Sequence, residues 1–183
     1  KRWLVAALMA AAATQLPIAY DEAYYWTWSQ ELAWTYFDHP PGTAFVIWLS
    51  QALVHGLLPM RIASLLACAV FVMVHVWGAK QLAGEAAARW ALWQPFASLM
   101  FCVGFLPATP DPFQCALLAL SGAGLIAHEK RPFAGAFVFA AAGSAAVLFK
   151  ISSAVIIAGA LAGALGRGKR SSVIGMLAGF ALV

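Results

Sequence analysis

The stretch "IASLLACAVFVMVHVWG", residues 62–78, contains no Asp, Glu, Lys or Arg, and its reading decides the class of the chain. An uninterrupted apolar run of about this length reaches across the roughly 30 Å hydrocarbon layer of a bilayer as a helix. Five further windows are equally free of formal charge: Trp3–Tyr20, Trp90–Thr109, Phe113–Ala127, Phe133–Phe149 and Ile151–Gly166. Of the 183 residues, 63% are hydrophobic and 10% charged, whereas a soluble domain is about half apolar and a quarter charged. The chain therefore reads as an all-α, polytopic membrane helical bundle. It forms a single transmembrane domain over residues 1–183, with no separate soluble domain and no longer-range repeat.

The scarce charges are sorted along the chain. Lys1 and Arg2, Lys80 and Arg89, Lys130 and Arg131, and Arg167, Lys169 and Arg170 all fall between apolar spans. If these loops are cytoplasmic, the alternate loops hold Asp21, Glu22, Glu31, Asp38 and Asp111, with Arg61 and Lys150 as their basic residues. This sorting follows the positive-inside rule. It predicts a multi-pass protein of the inner (plasma) membrane with a cytoplasmic N-terminus and an acidic external face. The Ala-rich start resembles a secretory signal, but a retained first span gives the consistent topology.

Spans are expected at Trp3–Ala19, Ile62–Gly78, Trp90–Leu106, Phe113–Ala127, Phe133–Phe149 and Ile151–Leu165, with a seventh starting at Val173. Residues 43–58 read as an interfacial or partly inserted helix, because a full crossing would invert every later basic loop. "ATPDPFQ" reads as a tight external turn. Gly and Ala recur in "AGAFVFAAAGSAA" and "AGALAGALG", seams that favour close helix packing in lipid. Cys68, Cys102 and Cys115 lack CxxC spacing and read as packing residues. Nothing resembles a P-loop or a dinucleotide fingerprint, so neither nucleotide nor nucleic acid is an expected ligand.

Four of the seven carboxylates lie in one segment, "YDEAYYWTWSQELAWTYFDHPPG", residues 20–42. Its Trp and Tyr rings suit a short helix at interfacial depth, where an apolar ring keeps its N–H or O–H wet. Pro40, Pro41 and Gly42 end that helix. The topology brings Asp21, Glu22, Asp38, His39 and Asp111 to one face. Two chemistries suit such a set: an Asp as general base toward an acceptor hydroxyl, or carboxylates and a histidine around a divalent cation. Arg61 and Lys150 are candidates to hold phosphate. Against this stand ordinary roles: Asp21 or Glu22 as a helix cap, Asp111 as a turn residue, His39 bonded to backbone, Lys150 reaching the interface.

The pieces "DEAYYWTWSQELAWTYFDHPPGTAFVIWL", "MRIAS", "TPDPFQCALLAL" and "FKISSAVII" occur in an order that resembles the N-terminal part of the integral-membrane glycosyltransferases of the C-type fold. Closest is the branch of protein O-mannosyltransferases and lipid A aminoarabinose transferases. The resemblance implies a sugar donor on a polyprenyl phosphate and an active site on the external (periplasmic) face. Carried over by position, it makes Asp21 the leading catalytic acid with Glu22 its neighbour. Asp38 and His39 become donor-phosphate or metal positions, Asp111 the second-loop carboxylate, and Arg61 and Lys150 recurrent basic positions. Asp21 and Asp111 are then the expected ligands of a divalent metal cation. Some relatives carry lysine where this chain has His39. Relatives also have about twice as many spans, so the chain is expected to be the N-terminal part of a larger module, completed by further chain or a partner subunit.

The leading reading is a membrane enzyme moving a sugar from a polyprenyl-phosphate donor to a lipid, glycan or protein acceptor. The alternatives are a non-catalytic lipid-carrier binding or translocation subunit, and a transporter. Acids in loops rather than mid-span argue against transport.

Overall fold

The computed structural model describes residues 2–165 and 170–182, and every regular element among them is helical. The expected basic residues Lys1, Arg167 and Lys169 lie outside the described residues. Helix α1 spans Arg2–Gln15 and stops ahead of Pro17. Helix α2, Tyr20–Gln30, starts where the Glu22 carboxylate accepts the Ala19 N–H at 2.9 Å. That contact satisfies one of the four free N–H groups at a helix start. Helix α3, Gly42–Leu53, follows the paired prolines. Its twelve residues rise about 18 Å, short of the roughly 30 Å hydrocarbon thickness.

Helix α4, Leu57–Ala91, is the one described helix long and apolar enough to cross a membrane, and Gly42–Leu53 and Pro132–Val147 are shorter apolar helices. It extends beyond the expected Ile62–Gly78 and absorbs the expected Lys80–Arg89 loop. Gly84 breaks it at φ 80°, ψ −172°, a conformation that side chains resist and glycine accepts. Lys80 and Glu85 pair across this break at 2.5 Å.

The expected single span over Trp90–Leu106 is not formed. The chain returns along α4 as a 3-10 turn at Pro95–Ala97 and the six-residue helix α5, Leu99–Gly104. Pro95 lacks an N–H and its ring would meet the carbonyl four residues back, so a continuous helix cannot pass through it. Contacts with α4 record the ascent. Gln94 lies 2.9 Å from His75, Phe101 and Phe105 pack on Phe71, and the Ser64 hydroxyl donates to the Pro107 carbonyl at 3.0 Å. The segment thus reaches the end of the molecule predicted for it, by broken backbone.

"TPDPFQ" is also not a free turn: Pro110 opens helix α6, Pro110–His128, with Asp111 in its first turn. Proline suits that position because its missing N–H has no helical partner, and a carboxylate there complements the helix dipole. Helices α7, Pro132–Val147, α8, Ser153–Leu165, and α9, Arg170–Phe180, complete the bundle. The first small-residue seam packs as expected. A Cβ on Gly124 would lie 2.4 Å from the Phe139 nitrogen, and one on Gly135 would lie 2.5 Å from the His128 Cα. At Gly159, in the second seam, nothing lies within 4 Å, and Gly175 and Gly179 of α9 meet α7 instead. Ala136, Phe139, Ala140, Ile157 and Met176 form the core between α7, α8 and α9. A second core, Tyr25, Ile47, Met60 and Ala108, underlies the site described next.

Candidate active site

The ends of α1, α2, α4, α6 and α7 meet at one end of the bundle. Their sharpest junction is an ion pair between Glu22 and Arg61, whose side chains are 0% and 3% exposed. Arg61 donates Nε–H to Glu22 Oε1 at 2.9 Å and an Nη2–H to Oε2 at 2.6 Å. Its remaining guanidinium protons go to the carbonyls of Ala13, Leu16 and Pro17 at 3.0, 2.8 and 2.8 Å. The Ala108 N–H adds a bond to Oε1 at 3.1 Å, beside that of Ala19 to Oε2. Burial by itself would raise the Glu22 pKa; Arg61 and the two backbone donors hold it below the usual value. With five donors and four acceptances used, this pair has nothing left to offer a substrate. Glu22 and Arg61, expected as a second catalytic acid and a phosphate ligand, form a clasp joining α1, α2, α4 and the segment before α6.

Asp21 faces the other way. Together with Tyr20, Tyr24, Tyr25, Asp38, His39, Thr109, Pro110, Asp111 and Lys150 it lines a cavity of about 500 Å³. Five of the expected site residues, from three separate regions of sequence, therefore share one space. Tyr24 and Tyr25, read from sequence only as setters of depth, belong to its wall. They follow Asp21 by three and four positions, the spacing of one helical face. That pattern is the signal that would have included them.

The loop after α2 is shaped by rings. Trp28 stacks on Tyr36 with centroids 4.3 Å apart and planes 4° apart. The Tyr36 hydroxyl lies 3.0 Å from the carbonyls of both Trp28 and Glu31, and the Tyr36 N–H donates to the His39 carbonyl at 3.1 Å. These contacts fold residues 31–39 back so that Asp38 and His39 face Asp21. His39 Nε2 is 3.5 Å from the Tyr25 hydroxyl, and its Nδ1 is 3.2 Å from Asp38 Oδ1 without the alignment of a hydrogen bond.

Lys150 enters from the turn after α7, which the Gln114 amide fixes by donating to Ser152 and Ser153 at 3.1 and 2.8 Å. Its ammonium bonds Asp111 at 2.6 Å. Burial pushes the Tyr25 phenol upward, and the charges of Asp38, Asp21 and Asp111 push it further. All three carboxylates thus act on a single hydroxyl. Desolvation followed by the Asp38 charge and hydrogen bond raises Tyr24 likewise.

Among the described residues no three His, Cys, Asp or Glu side chains are grouped so as to hold a metal ion. Lys150 already supplies the cation beside Asp111. Asp21 and Asp111 bring two carboxylates to this cavity, and Lys150 engages one oxygen of Asp111.

Residues 38–183 match the dolichyl-phosphate-mannose-protein mannosyltransferase family, and the chain belongs to that family of membrane glycosyltransferases. The match begins at Asp38 and so leaves Asp21 and Glu22 outside it. No curated protein and no solved structure matches the chain.

Proposed function

We propose that the cavity transfers a sugar from a polyprenyl-phosphate donor to an acceptor hydroxyl, with Asp21 as general base. The observation that carries this reading is the meeting of Asp21, Asp38, His39, Asp111 and Lys150 around one cavity. Asp21 takes the proton of the acceptor hydroxyl. The freed oxygen forms its bond to the anomeric carbon as the carbon–oxygen bond to phosphate breaks, and the electron pair leaves with the phosphate. Lys150 and His39 are the groups able to meet that developing charge. Lys150 engages Oδ1 of Asp111, and no step is assigned to a divalent cation.

The basic residues Lys80, Arg89, Lys130 and Arg131 lie toward the other end of the helices. Their placement supports a multi-pass inner-membrane protein whose cavity opens away from the cytoplasm. The donor would then enter from the bilayer, and a lipid, glycan or protein acceptor from outside.

The test is transfer of radiolabelled sugar from polyprenyl phosphate by the purified protein and its Asp21→Asn variant. Losing a general base costs about 10²-fold or more. Turnover by the variant at the normal rate would remove Asp21 from the mechanism. Activity that persists in chelator is the companion expectation, and its abolition would restore the cation.

A further inference from the structure

We propose that the end of the bundle opposite the acidic cavity binds an anionic glycerophospholipid, one acyl chain lying in an apolar groove and the phosphate held by Lys130 and Arg131. A groove of about 470 Å³ runs between α4, at Met73, Val74 and Trp77, and the α6–α7 crossing, at Ala123, Gly124 and Val138. It exists because the small residues that let α6 and α7 touch leave no side chains to fill the space beside α4. The groove continues into a recess of about 350 Å³ bordered by Gln81, Glu129, Lys130 and Arg131, and Trp77, Ala127 and Arg131 line both parts.

Polarity changes along this path in the way an amphiphile requires. Its floor is aliphatic, its end carries two adjacent cations against the one carboxylate of Glu129, and Trp77 stands where the two meet. Lys80, the other cation nearby, is engaged by Glu85, whereas neither Lys130 nor Arg131 forms an ion pair among the described residues. Arginine's planar fork suits two phosphate oxygens, and a tryptophan favours the boundary between chains and headgroups. From Asp111 to Lys130 along α6 the rise is about 28 Å, so the cationic end sits at the far boundary of a roughly 30 Å hydrocarbon layer. A zwitterionic lipid would bring its own cation against Arg131. A polyprenyl phosphate would have a chain far longer than the groove. A diacyl lipid with a net negative headgroup fits both ends.

The test uses the protein purified in uncharged detergent, titrated with phosphatidylglycerol or phosphatidylcholine and read as lipid adducts by native mass spectrometry. The expected preference for phosphatidylglycerol is on the order of tenfold, two basic side chains acting near one anionic headgroup. Lys130→Gln with Arg131→Gln should abolish it, and the charge-preserving pair Lys130→Arg with Arg131→Lys should keep it. Ala127→Leu should block adducts while the lipid-free melting temperature stays unchanged. Lys80→Gln, which removes a cation outside the groove, should leave the preference intact. Equal retention of the two lipids, a preference that survives the double Gln variant, or an equal loss in Lys80→Gln would overturn the proposal.

Discussion

Lys150 donates to Asp111 at 2.6 Å across 39 positions of sequence, with the two side chains 38% and 55% exposed. At that exposure the pair contributes at most about 1 kcal/mol to folding, so its position in the cavity matters more than its strength. An ammonium held by one carboxylate is available to an incoming phosphate.

Replacing Lys150 by Met should therefore raise the KM for the lipid-linked donor and lower transfer, while the melting temperature changes little. Initial rates against donor concentration check this. An unchanged KM would take Lys150 out of donor binding.

Glu22 and Arg61 should behave in the opposite sense. Removing one member of a buried pair strands the other, at a cost of about 3–5 kcal/mol. Glu22→Gln and Arg61→Met should each lower the melting temperature sharply and reduce yield, whereas Asp21→Asn, one residue away, should not. Thermal unfolding of the three variants side by side separates clasp from cavity.

The clasp also sets a pH dependence. The folded pKa of Glu22 lies below its ordinary 4.5. A lowered carboxylate pKa gives stability that is present above the unfolded value and lost as pH falls through the folded one. The melting temperature should hold from pH 7 down to about 5 and then decline. In Glu22→Gln the part of that decline due to this carboxylate should vanish. An identical acid profile in wild type and variant would contradict the assignment.

Glycines on one helix give a paired test of packing. An added Cβ at Gly124 would meet the Phe139 nitrogen at 2.4 Å and the Gly135 oxygen at 2.7 Å, while at Gly122 nothing lies within 4 Å. Gly124→Ala should destabilise by about 1–3 kcal/mol, and Gly122→Ala should stabilise by roughly 0.5–1 kcal/mol through helix propensity. Equal effects would mean that α6 and α7 do not cross at Gly124.

Topology can be read at Phe37, which is 99% exposed in the loop beside the cavity. A cysteine there, in a background lacking Cys68, Cys102 and Cys115, should react with an impermeant thiol reagent added outside intact cells. Reaction only after the membrane is opened would reverse the proposed orientation.

The membrane class was legible because charge-free runs such as 62–78 have one economical reading, and the convergence of Asp21, Asp38, His39, Asp111 and Lys150 followed from counting reversals of the chain. What sequence could not separate was Asp21 from Glu22. Adjacent positions on a helix point about 100° apart, and which one turns inward depends on Arg61, 39 residues later in the chain. Pro95 was visible in "WQPFAS", yet the apolar character of its neighbours outweighed it, and the broken return was read as a span. Gly84 was equally visible, but only the backbone reveals that it takes φ 80°.

The clasp also fixes an order of assembly during synthesis. Glu22 emerges first, its partner Arg61 follows 39 residues later, and the Ala108 N–H arrives 86 residues behind it. Until Arg61 follows, the carboxylate and the open carbonyls at the end of α1 must remain where water can reach them, because hydrocarbon offers them no substitute. The N-terminal helices therefore cannot settle one by one as the ribosome delivers them. This end of the bundle closes only after the broken passage beyond Gly84 has returned, and a nascent chain stalled before residue 108 would present a Glu22 carboxylate short of one of its donors.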